Sequence, residues 1–131
     1  MAVEGLVTTS SPRPPAEVVA RLKTEIVARK LTIFAEIDHA AGAEAVGLTL
    51  RPLFLIIFGA AKGGTPLMQM VATAGIDLPL KLLVWQDAEG ATQVSFNDPD
   101  WVAKRHGLSE AVDAPVQAMA GLLAALVAAA V

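Results

Sequence analysis

Six consecutive apolar residues, Leu53 to Phe58, constrain the fold of this chain more than any other feature of its sequence. The segment LFLIIF shows no alternation of apolar and polar residues, which is typical of a strand buried on both faces. One face of such a strand packs on the core of its own chain. We therefore expect the second face to be covered as well, by the same chain or by another subunit.

Four further segments predict strands around this one. Residues 2–10 carry apolar and β-branched side chains, and residues 31–39 alternate, with Leu31, Ile33, Ala35 and Ile37 on one face. The segments LPLKLLVWQD and ATQVSFND flank the turn AEG, where the glycine tolerates a left-handed backbone, and so predict a β-hairpin.

Helix signals lie between and after these strands. Pro14 and Pro15 suit the first turn of a helix that ends near Lys30. Asp98 is a good N-cap for a short helix that Gly107 closes, and Ser109 can cap a last helix that runs to the C-terminus. The expected buried stripes are Val18, Val19, Leu22 and Ile26 in the first helix, and Val112, Val116, Met119, Leu123 and Leu126 in the last.

The order of these elements predicts the fold class. A late hairpin and few helices favour an α+β arrangement, in which helices pack on one face of an antiparallel sheet, over a doubly wound parallel sheet. The length of 131 residues is that of one domain. We expect a single α+β domain over residues 1–131 with an alanine-rich C-terminal helix at about 109–131.

Composition excludes several classes of function. The chain is 54% apolar and only 18% charged, which suggests that a partner subunit hides part of its surface. A net charge of −3 argues against nucleic acid or anionic lipid as a partner. The sequence contains no cysteine, so disulfides, thiolate catalysis and cysteine zinc sites are absent.

The two termini bear on location. The N-terminal segment has no basic region and no apolar stretch of the signal-peptide type. The C-terminal AMAGLLAALVAAAV is apolar but shorter than the roughly 20 residues of a membrane-spanning helix. We expect a packed helix, no membrane partner and a cytoplasmic location.

The segment FGAAKGGTPLM, from Phe58 to Met68, contains a glycine-bearing loop that resembles a phosphate cradle. A Walker loop needs lysine directly before a hydroxyl residue, and Lys62 stands three positions before Thr65, so the spacing fails. Thr65 and Pro66 predict the start of a helix. Gly63 and Gly64 either turn the chain into that helix, or expose N–H groups that, with Lys62, bind a carboxylate or phosphate.

Two other places carry polar candidates. Asp38 and His39 end the second strand beside Glu36, and they form either a solvated cluster or an acid–base pair. Lys81 stands alone in an apolar strand, where it lies on a solvated face or at the base of a cleft. The spacing of the two histidines matches no metal motif, and no serine lies in a nucleophile motif.

These segments together resemble the family called domain of unknown function 302. The resemblance covers about residues 5–108 and rests on I-D-H after the second strand, F-G…G-T-P-L-M, D-L-P-L-K…V-W and N-D-P. It implies a TATA-binding-protein-like α+β fold, a homodimer, no DNA binding and no settled activity. The family pattern marks Asp38, His39, Gly59, Gly64, Thr65, Pro79, Lys81, Asn97, Asp98 and Pro99. The family usually has Asn-Pro where this chain has Ala60 and Ala61.

Three hypotheses about function follow. The first is a homodimeric binding or sensing module for a small anionic or amphipathic ligand, without cofactor or metal, whose cleft is bordered by the Lys62–Thr65 corner, His39 and Lys81. The second is an enzyme that uses His39 and Asp38 as an acid–base pair. The third is a structural or interaction protein without a ligand. The ligand-binding residues expected under the first are Asp38, His39, Lys62, Gly63, Gly64, Thr65, Lys81 and Asn97.

Overall fold

A computed structural model describes residues 2–131. It contains five strands: β1 (Leu6–Ser11), β2 (Thr32–Asp38), β3 (Leu53–Gly59), β4 (Leu80–Gln86) and β5 (Thr92–Asn97). Its α-helices are α1 (Pro15–Ala28), α2 (His39–Ala45), α3 (Ala61–Met70), α4 (Pro99–Arg105) and α5 (Asp113–Ala130). Short 3₁₀ turns cover Ala72–Ile76 and Glu110–Val112.

The five strands form one sheet in the order β1-β5-β4-β3-β2, and every neighbouring pair is antiparallel. The α+β class and the antiparallel sheet are therefore confirmed. The β4–β5 hairpin turns as expected, because Gly90 has φ +85° at the end of the AEG turn. The predicted caps of α4 are also present, since Asp98 accepts from the backbone N–H of Asp100 and Gly107 has φ +64°.

The main core lies between the sheet and two long helices. The sheet contributes Ile56, Phe58, Leu82, Val84 and Val94, all with 0% exposure. The helices contribute the predicted stripe of α1 and the inner side of α5. A second cluster joins α5 to α3 and α4, and contains Leu67, Ala74, Ala103, Val112, Val116 and Met119.

The alternation predicted for β2 is interrupted by a bulge. Ile33 pairs with Phe58 on the core face, whereas Ala35 pairs with Ile57 on the opposite face, because the register shifts at Phe34. A bulge inserts one extra residue and so exchanges the faces of everything beyond it. The single face predicted for Leu31, Ile33, Ala35 and Ile37 is therefore wrong.

The predicted start of α3 at Thr65 is also wrong. The helix begins at Ala61 after the extended Ala60, and Gly63 N–H already donates to Ala60 O at 3.0 Å. Pro66 lies inside the helix, where it lacks the N–H that would bond to the carbonyl of Lys62. Because this loss affects only one carbonyl near the helix start, the first turn forms upstream of the threonine that the local rule selects.

The face of the sheet opposite the main core is hereafter called the open face. Register places Ile37, Leu55, Ile57, Leu83 and Trp85 there, and all five remain partly exposed among the described residues. Its β1–β5 half is polar: Ser95 accepts from Trp85 Nε1 at 2.9 Å and lies 2.8 Å from Thr8 Oγ1. The open face is thus apolar over β2, β3 and β4 only.

Helix α5 with its preceding turn, Glu110–Ala130, is long and apolar enough by composition to cross a membrane. Its inner side chains nevertheless lie in the core against α1 and the sheet, with Leu123 at 1% and Leu126 at 0% exposure. This packing is that of a core helix in an α+β domain.

Candidate functional site

A cavity of about 290 Å³ opens at the end of the sheet where β3 passes into α3. Five segments surround it: the start of β2, the β3–α3 junction, α3, the chain entering β4, and α5. The lining residues are Leu31, Phe34, Gly59, Ala60, Ala61, Gly63, Gly64, Met68, Leu78, Pro79, Leu80, Pro115, Ala118, Met119 and Leu122. We call this space the apolar cavity.

The space exists because one wall has almost no side chains. From Gly59 to Gly64 the only larger residue is Lys62, which is exposed and does not line the cavity. A methyl group placed on Gly64 would lie 3.5 Å from Leu78 Cδ1 and 3.7 Å from Met68 Cε, so the missing side chain directly leaves room between these residues. The small residues that suggested a phosphate loop therefore shape an apolar hollow.

The chemistry of the apolar cavity is uniform. None of its lining residues has an ionisable side chain, and none has a side-chain hydroxyl or amide. Ligand pockets in proteins are usually apolar hollows of roughly 300–1,000 Å³, so this one is at the small end. Its lining can exclude water and hold an apolar molecule, and it offers no side-chain acid, base or nucleophile.

A polar cluster lies next to the cavity wall formed by Leu78 and Pro79. Arg105 Nη1 donates to both carboxylate oxygens of Asp77 at 2.9 Å, and His106 Nε2 lies 2.6 Å from Asp77 Oδ2. The other ring nitrogen, His106 Nδ1, lies 2.9 Å from Thr73 Oγ1. We call these four residues the Asp77 clasp.

The Asp77 clasp joins the end of α4 to the turn that precedes β4. Side-chain exposure is 7% for His106 and 11% for Asp77, so both groups are largely removed from water. Asp77 is followed directly by Leu78 and Pro79, which line the apolar cavity. The clasp therefore holds one cavity wall against α4.

Neither His106 nor Asp77 was identified from the sequence as a member of this cluster. Arg105 and His106, the partners of Asp77, lie 28 and 29 positions away from it, so no local spacing rule connects them. One signal was available in the sequence. Arg105 and His106 are adjacent at the end of α4, whereas the acidic residue of that helix, Asp100, lies in its first turn.

Lys81 lies on β4 opposite Ile57 and folds back on its own chain. Its ammonium donates to Pro79 O at 3.0 Å and approaches Asp77 O at 3.4 Å. Burial lowers the pKa of Lys81, and the negative charge of Asp77 partly opposes that change. Lys81 and Asn97 border a second, much smaller hollow of about 20 Å³ beside Asp77.

The residues predicted to form one ligand site are distributed over separate places. Gly63 and Gly64 line the apolar cavity, while Lys62 and Thr65 are exposed on α3. Lys81 and Asn97 border the smaller hollow.

Asp38 and His39 lie at the opposite end of β2. Thr32 pairs with Gly59 whereas Asp38 pairs with Phe54, and a strand of this length separates its ends by about 20 Å. Asp38 serves as the N-cap of α2, where it accepts from Ala41 N–H at 2.9 Å. The expectation that His39, Lys62 and Lys81 border one cleft is therefore wrong, because His39 follows the end of β2 that lies a full strand length from the β3–α3 junction.

Metal ligands do not converge either: among residues 2–131, no group of three or more histidine, aspartate or glutamate side chains is arranged to hold a metal ion.

Comparison with known proteins relates the chain to a family and to a solved structure. The model of "Domain of unknown function DUF302" matches residues 7–126. An uncharacterized conserved protein DUF302 from Bacillus stearothermophilus superposes with a TM-score of 0.85, covering 98% of this chain and 100% of that one at 16% identity. At this identity the structural likeness shows the fold alone.

Curated relatives come from Brucella. The chain is 42% identical over 115 residues to "Fluoride-specific ion channel FluC 1" of Brucella suis and, equally, of Brucella abortus. These matches cover 88% of this chain but only 45% and 43% of the relatives, so the chain spans less than half of their length. From the family match over most of its residues, the chain belongs to the DUF302 family.

Proposed function

We propose that this protein is a small-molecule-binding domain whose ligand occupies the apolar cavity. The observation that carries the proposal is a hollow of about 290 Å³ whose lining contains no ionisable side chain. The binding or sensing role matches the first hypothesis from the sequence. The place and the ligand differ, because an apolar lining favours a neutral ligand over an anion.

The enzymatic alternative has less support. His39 is exposed at the far end of β2, and the carboxylate of Asp38 caps α2. A general base works within hydrogen-bond reach of a bound substrate, and the described cavity lies about a strand's length away, roughly 20 Å. Binding without chemistry therefore accounts better for the geometry.

The test is thermal stabilisation by a panel of neutral and anionic small molecules, with and without a cavity-filling variant. A ligand at about 100 times its Kd stabilises the folded state by about 2.7 kcal/mol. We expect neutral apolar members to raise the Tm and Ala118→Phe to abolish the rise, since Ala118 lines the cavity. The control is Ala124→Phe, which is also on an exposed part of α5 but outside the lining.

A panel without a single hit on the folded wild-type protein would overturn the proposal. Equal stabilisation of wild type and Ala118→Phe would also overturn it, because the ligand would then bind elsewhere.

The homodimer and the TATA-binding-protein-like classification are further parts of this proposal. The apolar half of the open face contains one charged residue, Lys81, near its end. A second copy could cover this half without placing like charges against each other, and β3 would then be buried on both faces. The low charged fraction of 18% supports the same assembly. A cytoplasmic location is likewise proposed.

One observation favours a second candidate function, that of an accessory domain for a fluoride channel. Relatives at 42% identity carry the name of such a channel, and more than half of their length lies outside the match. An open antiparallel sheet leaves unpaired backbone at its edges, which lipid does not accommodate. We therefore assign the channel of those relatives to the remainder of their chains.

The test measures fluoride efflux from vesicles that contain the remainder of the Brucella suis protein, with and without this domain added. A change in efflux that requires the domain supports an accessory role. Identical efflux, together with no co-purification of the two parts, would overturn it.

A further inference from the structure

We infer that the apolar cavity selects a neutral, planar aromatic ligand of about two fused rings. This inference rests on the proposed function and adds the chemical class of the ligand. Three properties of the lining support it: the kinds of side chain, the volume, and the exposure of residues at the mouth.

The side chains of the lining suit an aromatic ring better than an alkyl chain. Met68 and Met119 supply thioether sulfurs, and contacts between sulfur and an aromatic ring edge are favourable beyond ordinary packing. Phe34 supplies a ring for offset or edge-to-face stacking. Pro79 and Pro115 add rigid ring surfaces to the lining.

The volume sets the size of the ligand. An engineered apolar cavity of about 150 Å³ is known to hold benzene. At about 290 Å³ the present cavity has close to twice that volume. Two fused rings fill such a space, whereas one ring would leave part of the lining without contacts.

Exposure at the mouth indicates where the ligand lies. Phe34 is 54% exposed and Met68 is 36% exposed, although both are large apolar side chains. Phe34 sits at the β2 bulge, and its Cε2 lies 3.9 Å from the position that a Cβ on Gly59 would take. A ring bound between Phe34 and Met68 removes both side chains from water. The bulge would then serve to place Phe34 at the mouth of the cavity.

Charged ligands of the same shape are disfavoured. A carboxylate moved into this lining would lose its hydration without gaining a partner side chain. We therefore expect the cavity to bind a neutral bicyclic aromatic compound more tightly than its anionic counterpart or its saturated counterpart.

The experiment measures by calorimetry the binding of three probes to the full chain: 2-naphthol, decahydro-2-naphthol and 2-naphthoate. All have two fused six-membered rings, and they differ in aromaticity or charge. We expect 2-naphthol to bind about five- to tenfold more tightly than the saturated alcohol. We expect the anion to bind at least about tenfold more weakly than 2-naphthol.

Matched variants test the sulfur contacts. The double variant Met68→Leu/Met119→Leu keeps the volume and removes both sulfurs, so the preference for 2-naphthol over its saturated analogue should fall by about threefold. Met70→Leu is the control, because Met70 is 42% exposed and does not line the cavity.

The outcomes separate this inference from the proposed function. Equal affinity for the aromatic and saturated alcohols, both lost in Ala118→Phe, overturns the aromatic class and leaves the binding site in place. A full preference for 2-naphthol in the double methionine variant contradicts the role of the sulfurs, and tighter binding of the anion contradicts the neutral class. No binding of any probe or panel compound to folded protein overturns both.

Discussion

The apolar cavity and the open face are both apolar surfaces that the chain leaves uncovered, yet they differ in shape. The cavity is concave, has a volume of about 290 Å³ and is bordered by five segments. The open face is an extended sheet surface on β2, β3 and β4, where Leu55 and Leu83 lie side by side. A hollow of that size can surround much of a small molecule, whereas an extended apolar sheet surface suits another layer of protein. The shape of each surface therefore determines the kind of partner that it suits.

The largest effect is expected from a charge on the open face. Leu83→Glu should raise the dissociation constant of the proposed dimer at least about a hundredfold, equivalent to about 2.7 kcal/mol, because that dimer would bury an unpaired carboxylate. Light scattering after size exclusion measures the mass. The control is Val27→Glu on α1, where Val27 is already 63% exposed.

A wild-type protein that is monomeric at micromolar concentration would contradict the assignment of the open face. A Leu83→Glu variant that keeps the dimer mass would contradict it too. Ligand binding in the cavity should be unchanged in both glutamate variants, which separates the two surfaces experimentally.

Loss of the Asp77 clasp should affect the cavity without affecting the open face. Asp77→Ala leaves Arg105 and the buried His106 without their acceptor, and such changes cost about 1–3 kcal/mol. Denaturant unfolding measures the loss, and calorimetry should show weaker ligand binding because Leu78 and Pro79 are no longer anchored.

The matched control is Asp100→Ala, which removes an exposed ion pair to Lys104 on the same helix. Equal effects of the two variants on ligand affinity would show that the clasp does not support the cavity wall.

A smaller, opposite effect on stability is expected at Gly64. Alanine in place of glycine inside a helix stabilises by about 0.5–1 kcal/mol, and the added methyl meets Leu78 and Met68 at ordinary contact distances. The same methyl occupies part of the cavity, so Gly64→Ala should raise the Tm and weaken ligand binding.

Gly121→Ala provides the comparison, because an added Cβ there meets nothing within 4 Å and Gly121 lies on α5 outside the lining. It should raise the Tm alone. Unchanged ligand affinity in Gly64→Ala would mean that the ligand does not occupy the space beside α3.

The smallest effect concerns Lys81 and depends on pH. Folding lowers the pKa of Lys81, so its charged form carries a penalty that is complete below the folded-state pKa and vanishes as the pH rises towards 10.5. Lys81→Met should therefore be slightly more stable than wild type at neutral pH, because solvent screens most of the penalty on this half-buried group. The difference should shrink as the pH approaches 10.5.

Chemical unfolding at several pH values measures this, with the exposed Lys62→Met as the control. A constant difference between wild type and Lys81→Met across the pH range would contradict a penalty from burial.

Local signals predicted most of the fold. The strand β3, the glycine of the β4–β5 turn and the Asp98 cap each depend on neighbouring residues, and each is present in the structure. The cover expected on both faces of β3 is not, because Leu55 and Ile57 stay partly exposed. The start of α3 did not follow the Thr65–Pro66 signal, because the chain accepts one free carbonyl to begin the helix earlier.

The candidate site was far less predictable. Gly63 and Gly64 were identified in the sequence as candidates for binding an anion, whereas in the structure they line an apolar cavity. A sequence shows which residues are small and does not show the space that they leave. The Asp77 clasp joins groups 28 and 29 positions apart, and the Phe34 bulge depends on strand register. Both are tertiary features that no periodicity reveals.

The most direct test of the account is methyl NMR of the full chain titrated with 2-naphthol, with wild type and Ala118→Phe side by side. We expect shifts in the methyl signals of Met68, Met119, Leu78 and Leu122, which line the cavity, and none of these shifts in the variant. Shifts centred instead on Leu55, Ile57 and Leu83 would place the ligand on the open face and contradict the assignment of the cavity as the binding site.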